Sequence, residues 1–117
     1  MVVAANSVAQ HFVDRSSSVK ATYARLLAIV RRFGEFSEDP KKTSIHLNRR
    51  TAFAGVATRK ESIILTVKAA ADIDSPRVHK HEQASANRWH LEVRLASPEE
   101  VDAEVTQWLK DAYELSA

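Results

Sequence analysis

Hydrophobic positions follow a helical period early in the chain. After the serines at 16–18, apolar residues recur at intervals of three and four, at Val19, Tyr23, Leu26, Leu27, Val30 and Phe33. The serines can cap a helix start, and Gly34 supplies the residue without Cβ that a left-handed C-terminal cap favours. The pattern predicts a helix over residues 16–33. A shorter helix is predicted just before it, in "VAQHFV" after Ser7.

The period changes to two after residue 42, and this alternation predicts five strands. Their sequences are "TSIHL", "RTAFAGVA", "SIILTVK", "RVHKHE" and "RWHLEVRL". In the last of these, the side chains expected to face the core are Trp89, Leu91, Val93 and Leu95, and those expected to face away are Arg88, His90, Glu92 and Arg94. Gly55 is expected to weaken the second strand or to mark a bulge. The pattern leaves the facing of Phe53 open.

Two further segments complete the predicted elements. "GEFSEDPKK" is expected to be a loop because Gly34 and Pro40 interrupt regular structure. Beyond Leu95, the Ser-Pro-x-Glu sequence at 97–100 predicts a capped helix start. The apolar stripe that follows consists of Val101, Val105, Trp108, Ala112 and Leu115, and the opposite side is acidic.

The order of elements predicts a single α+β domain over residues 1–117. Short links between strands favour antiparallel neighbours. One apolar face per strand and one apolar stripe per helix predict two layers, with two N-terminal helices and one C-terminal helix packed on one face of about five strands. The other face of the sheet, here called the open face, is left to water or to a partner.

Composition excludes several classes of chemistry. The chain has 117 residues and no cysteine, so disulfides, Cys-based zinc sites and thiol nucleophiles are absent. The N-terminal sequence does not resemble a secretory signal, and no apolar run has the length of a membrane helix. The simplest location is the cytoplasm. No Gly-rich phosphate loop or Ser-His-Asp pattern stands out, so catalysis is not favoured and no cofactor is predicted.

Charge is distributed unevenly along the sequence. Residues 1–60 contain eleven Lys/Arg and four Asp/Glu, and residues 61–117 contain six and eleven, so +7 and −5 give the net +2. The basic half could meet an anion, or the two halves could neutralise each other within the fold.

The stretch from 41 to 60 contains six basic residues and no acid. On the predicted strands, Arg49 and Arg50 lie at one end of the sheet, and Lys41, Lys42, Arg59 and Lys60 lie at the other. The separation argues against a nucleic-acid groove. The cluster of four could hold a phosphate or carboxylate, and the alternative is a solvated rim.

Histidines on the predicted open face raise the question of a metal site. His79 and His81 are two apart on a strand, so they are expected to share a face, and His90 could join them. Arg88 and Arg94 nearby would repel a cation. No metal site is therefore predicted.

Several segments together resemble a family of bacterial domains of unknown function. They are "KKTSI", "RRTAF", "SIILTVK", "WHLEVRL" and "SPEEVDAEVTQWLKDAYE", in that order, within residues 8–115. The resemblance implies an α+β domain and no particular reaction, and some members are labelled predicted transport proteins. Family members commonly carry an aromatic residue in the strand after Lys-Thr, where this chain has Ser44-Ile45-His46-Leu47.

These observations favour a non-catalytic module that binds a small anionic ligand or an acidic partner. In this hypothesis Lys42, Arg59 and Lys60 supply charge, and the residues Arg88, His90 and Arg94 line the open face. The first alternative is self-association as a homodimer through that face. The second is nucleic-acid binding, against which the acidic second half argues.

Overall fold

A computed structural model describes residues 7–117 of the protein. It contains a 3-10 turn at Ala9–Phe12 and a second one at Pro98–Glu100. The two α-helices are α1 (Ser17–Arg31) and α2 (Ala103–Leu115). The six strands are β1 (Ser37–Pro40), β2 (Ile45–Asn48), β3 (Ala52–Thr58), β4 (Ile63–Ala69), β5 (Val78–Ser85) and β6 (Arg88–Leu95).

The strands form one sheet in the order β1-β2-β3-β4-β6-β5, and every neighbouring pair is antiparallel. The predicted α+β class and antiparallel sheet are confirmed. The prediction of about five strands missed β1, which lies within the supposed loop. Its sequence, Ser-Glu-Asp-Pro, has no apolar alternation because none of its four residues is buried in the core. The proline at its end is compatible with a position at the edge of the sheet.

The prediction of three helices was wrong in detail, because the described residues form two α-helices. The expected first helix is only the 3-10 turn at Ala9–Phe12. The expected C-terminal helix is divided: the turn at Pro98–Glu100 comes first, and α2 begins after Asp102, whose carboxylate accepts a hydrogen bond from the Val105 N–H at 3.1 Å. Asp102 therefore caps the helix in place of Ser97.

Both helices cover the same face of the sheet. The strand side chains that face them are fully buried, including Leu47 on β2, Leu65 on β4 and Leu91 on β6. Leu26 of α1 and Leu109 of α2 complete this core. The alternate residues of the strands are partly or fully exposed on the open face. The two-layer prediction with one uncovered sheet face therefore agrees with the structure.

A bulge in β3 settles the facing of Phe53. Leu47 pairs with Ala54 and Asn48 pairs with Ala52, so Phe53 is the extra residue. Its side chain is buried and meets the Tyr113 ring edge-on, with the ring centroids 5.3 Å apart. The bulge lies at Phe53 and not at Gly55, and it places two consecutive residues toward the core.

The connection from β4 to β5 ties the start of α2 to the β5 edge of the sheet. Since β6 lies between these two strands, residues 70–77 must pass beyond it to reach the edge. At the end of this segment the Arg77 guanidinium donates to both carboxylate oxygens of Asp102 at 2.9 Å and to the Glu100 carbonyl at 2.8 Å. One side chain thus joins the start of β5 to the start of α2.

Candidate functional site on the open sheet face

The open face contains a shallow depression of about 280 Å³. Its floor follows β3, where the outward residues Ala52, Gly55 and Ala57 are all small. The taller side chains around it form the rim: Ser44 just before β2, His46 on β2, Thr66 and Lys68 on β4, and His90 on β6. The depression exists because a strand of small residues lies between strands of larger ones.

Gly55 deepens this floor because it has no side chain, and neither its backbone conformation nor its neighbours require a glycine there. A Cβ added there would lie 3.9 Å from Cδ2 of His46 and 4.0 Å from Cβ of Thr66, which is ordinary contact. Its φ does not lie in the left-handed region. The space above Gly55 is therefore free to be occupied by another group.

Lys68 is a partly buried cation at one end of the depression. Its Nζ donates to Oγ of Ser116 at 2.8 Å and to Oγ1 of Thr51 at 3.1 Å. Among residues 7–117 no carboxylate forms an ion pair with it. Burial lowers the pKa of the Lys68 ammonium, and the positive charge of Arg88 lowers it further. An anion in the depression would relieve this imbalance of charge.

Two imidazoles supply further hydrogen-bonding atoms to the rim. His46 lies directly across from Gly55 in the β2–β3 register, and His90 lies across from Lys68 in the β4–β6 register. Nδ1 of His90 is 3.5 Å from Oε1 of Glu82, which leaves Nε2 for another partner. A neutral imidazole can donate one hydrogen bond, and a protonated one can donate two.

The predicted residues of β6 share the open face but not one location. Arg88 is the first residue of the strand, and Arg94 is opposite Ile64 near the other end. Six residues of strand separate them by roughly 20 Å. Between them, Glu92 meets His79 and Lys80 at 3.4 and 3.6 Å. Of the three residues predicted there, only His90 lines the depression.

The predicted loop residues lie at one end of the sheet, here called the lower end. The 41–44 loop, with Lys42, and the 59–62 loop, with Arg59 and Lys60, both lie there because β2 and β3 are antiparallel neighbours. Arg49 and Arg50 are at the upper end, beside Lys68. Lys42, Arg59 and Lys60 do not line the depression. The stretch of six cations thus forms no single patch.

The three histidines considered for a metal do not meet. A register shift between Val78 and Lys80 makes His79 an extra residue in β5. His79 then contacts Glu92 on the open face, whereas His81 contacts Asp72 of the β4–β5 connection, with 2.5 Å between Nδ1 and Oδ1. The expectation that His79 and His81 share a face was wrong because the bulge breaks the alternation. Within residues 7–117, no group of three His or carboxylate residues could hold a metal ion.

Sequence reasoning missed Lys68, His46 and Thr66 as members of the site. A signal was present, since the alternation in "SIILTVK" places Ile64, Thr66 and Lys68 on the open face. The closeness of these side chains to His46 depends on strand order, which the sequence did not reveal.

The fold and the depression describe a small two-layer α+β domain with an uncovered sheet face. Residues 8–116 match the model of a family described as a domain of unknown function, DUF5655, and the chain belongs to that family. No curated protein and no solved structure matches the chain. No helix in the part of the chain that the structure describes is long and apolar enough to cross a membrane.

Proposed function

We propose that this protein is a non-catalytic binding module that holds a small anionic ligand, a carboxylate or a phosphate, in the depression of its open sheet face. The observation that carries the proposal is Lys68, a partly buried cation held by two hydroxyl groups and paired with no carboxylate of residues 7–117. Burying a charge without a counter-charge is unfavourable, and a bound anion supplies that counter-charge.

The dimensions of the depression support a small ligand. Its volume of about 280 Å³ is just below the range of roughly 300–1,000 Å³ that is usual for pockets of drug-sized molecules. The rim combines an ammonium with hydroxyl and imidazole groups, which are donors suited to carboxylate or phosphate oxygens.

Other basic residues support the proposal by attraction over a distance. Arg88 raises the positive potential near Lys68, as its effect on the Lys68 pKa indicates. Lys42, Arg59, Lys60 and Arg94 belong to the lower end, where they would draw an anion or an acidic partner toward the open face without touching the ligand. Because this contribution acts between exposed charges, added salt is expected to weaken it.

The test is a titration of the protein with inorganic phosphate and, separately, with succinate. Binding is measured by calorimetry and by the shift in the midpoint of thermal unfolding. Binding is expected to raise the midpoint. Lys68→Met keeps an unbranched side chain of similar length but removes the ammonium group, so it is expected to weaken anion binding about tenfold or more. Gly55→Val is expected to block the depression while leaving the fold intact.

Lys20→Met is the matched control because it removes one lysine charge from α1, away from the sheet. It is expected to bind like the natural sequence. If neither anion binds, or if Lys68→Met and Lys20→Met bind equally well, the proposal is wrong.

The second candidate function is self-association through the same face. Ile64 is only partly buried there, beside Ala57, and so offers apolar surface to another copy. Light scattering tests this candidate, and Ile64→Lys is expected to dissociate any dimer that forms through this face. We also propose a cytoplasmic location and a bacterial origin. The lack of cysteine supports the first, and the sequence resemblance supports the second.

A further inference from the structure

A second concavity lies in the helical layer, away from the open sheet face. It occupies about 510 Å³ between α1 and α2 and is here called the α1–α2 groove. Arg25 and Ile29 of α1 line it, together with Arg32 just after the end of that helix, at intervals of four and three residues. Helix α2 presents Thr106 and Lys110, which are four residues apart. Each helix thus turns one face to the groove.

The charges around this groove are unbalanced. Its lining contains four cations and one carboxylate, Glu114, so the local sum is +4 − 1 = +3. Across residues 7–117, the ion pairs involve other basic residues and none of these four, which are Arg25, Arg32, Arg49 and Lys110. Lys110 stands out on α2, because the other charged residues of that helix, Glu104, Asp111 and Glu114, are all acidic. Like charges converging on a concave surface focus the potential for an anion.

Arg49 is held in position at the edge of the groove. Its guanidinium carbon lies 4.2 Å from the centroid of the Tyr113 ring, and its Nη1 donates to the Tyr113 carbonyl at 3.1 Å. A guanidinium has five N–H donors, and this carbonyl uses one of them. A side chain already ordered in this way loses less entropy when a ligand binds.

The floor of the groove is apolar and aromatic. Ile29 and Tyr113 are buried, and Phe33 is partly buried beside them. The Phe33 and Tyr113 rings are 5.8 Å apart between centroids. A ligand that matches the whole groove therefore needs an apolar part in addition to its negative charge.

We infer that the α1–α2 groove binds an organic anion, with a phosphate or carboxylate group on Arg25, Arg32 and Lys110 and an apolar or aromatic group against Phe33 and Tyr113. This site is separate from the proposed site at Lys68 and does not depend on it. The volume of the groove falls in the range for small-molecule pockets.

The inference is tested by NMR titration of the amide signals with phenyl phosphate. Saturable shifts are expected for residues of α1 and α2 that line the groove. Inorganic phosphate lacks the aromatic part and benzyl alcohol lacks the charge. Each is therefore expected to bind in the groove at least about tenfold more weakly than phenyl phosphate. Absence of saturable groove shifts with phenyl phosphate overturns the inference, and so does equal binding of all three compounds.

The variant for this test is Arg25→Ala combined with Arg32→Ala, an exposed position on α1 and the exposed position just after its end. It is expected to abolish the groove shifts. The matched control is Lys20→Ala combined with Arg31→Ala, which removes the same charge from the same helix but from the side that faces the first 3-10 turn. The inference is overturned if the two double variants behave alike.

Lys68→Met separates this inference from the proposed function. It is expected to leave the groove shifts unchanged, while any shifts on the open sheet face disappear. If phenyl phosphate shifts only amide signals of the open sheet face, the groove site is contradicted and the proposed function stands.

Discussion

At the scale of single residues, the two glycines of the chain occupy very different surroundings. Gly34 has a φ of +148°, and a Cβ at this position would lie 2.5 Å from Oη of Tyr113. That hydroxyl also donates to the Glu35 carbonyl at 2.9 Å, so it is not free to move aside. The sequence predicted a positive φ just past α1, and the structure adds the close approach of Tyr113 as a second reason for glycine.

Gly34→Ala is expected to lower the free energy of unfolding by about 1–3 kcal/mol, since it combines an unfavourable φ with a steric clash. Urea denaturation followed by tryptophan fluorescence measures the change. Gly55→Ala is the control, because its added methyl group meets only ordinary contacts. It is expected to raise the free energy of unfolding by about 0.5–1 kcal/mol, since glycine weakens a strand interior. Equal effects of the two substitutions would contradict the contrast.

Tyr23 and Phe53 represent what residue patterns could and could not tell. Tyr23 belongs to the apolar stripe of α1, as predicted, and its hydroxyl donates to Glu38 at 2.6 Å. Burial, together with the adjacent Glu38 carboxylate, raises the pKa of Tyr23. Periodicity located this side chain but gave no sign of its partner on β1. For Phe53 even the facing was open, because a bulge interrupts the alternation on which such predictions depend.

At the scale of the elements, the start of α2 depends on Asp102. The Val105 N–H and the Arg77 guanidinium both donate to this carboxylate, and they lower its pKa below the ordinary value of 3.8. A depressed pKa in the folded state means that the carboxylate stabilises the fold above its unfolded pKa. This contribution is lost as the pH falls through the folded pKa.

Asp102→Ala is therefore expected to lower the free energy of unfolding at pH 7 by about 1 kcal/mol, mainly through loss of the helix cap. The exposed ion pair with Arg77 adds well under about 1 kcal/mol. The difference from the natural sequence should shrink as the pH falls through the lowered pKa of folded Asp102, which lies below the ordinary value of 3.8. Asp111→Ala on the same helix is the control, since that carboxylate accepts a hydrogen bond from exposed Gln107 and does not cap the helix. A loss that is equal for both variants, or independent of pH, would argue against the cap.

The two edge strands of the sheet, β1 and β5, each have features that limit pairing with strands of other molecules. Strand β1 has four residues and ends at Pro40, and β5 has register shifts near both of its ends. Strand β5 also carries exposed charged side chains, among them Lys80 and Glu82. Short, bulged and charged edges discourage strand addition. We therefore expect partners to use the faces of the molecule and not its sheet edges.

The divided positions of the β5 histidines lead to a prediction about metals. Zinc ions are not expected to raise the thermal midpoint, and a chelator is not expected to lower it, because His79 and His81 lie on opposite faces. Differential scanning fluorimetry with and without zinc measures this. A stabilisation that disappears in His79→Ala combined with His90→Ala would contradict the prediction.

At the scale of the whole molecule, charge is arranged by the topology and not by the sequence order. The basic stretch at 41–60 is divided between the two ends of the sheet, whereas Lys68 and Arg88 come from distant parts of the chain and lie near one another. The acidic side of α2 lies in the other layer. A nucleic acid would need a continuous basic track, which this arrangement interrupts.

Binding to a short duplex DNA is accordingly expected to be weak and to show a shallow dependence on salt concentration. A steep dependence, equivalent to neutralising about six or more phosphates, would favour the nucleic-acid alternative. Gel retardation over a range of salt concentrations makes this measurement. Arg59→Ala and Arg49→Ala, one at each end of the sheet, would then show which end is responsible.

The sequence by itself determined the class of the fold, the burial of β2, β4 and β6, the uncovered sheet face and the course of α1. These features follow from the spacing of apolar residues, which is a local property that each segment carries alone. Tertiary structure decided the existence of β1, the facing of Phe53 and the shapes of the depression on the open face and the α1–α2 groove. Those features depend on which strands become neighbours and where a bulge shifts the register, and such contacts form between residues that are far apart in the chain.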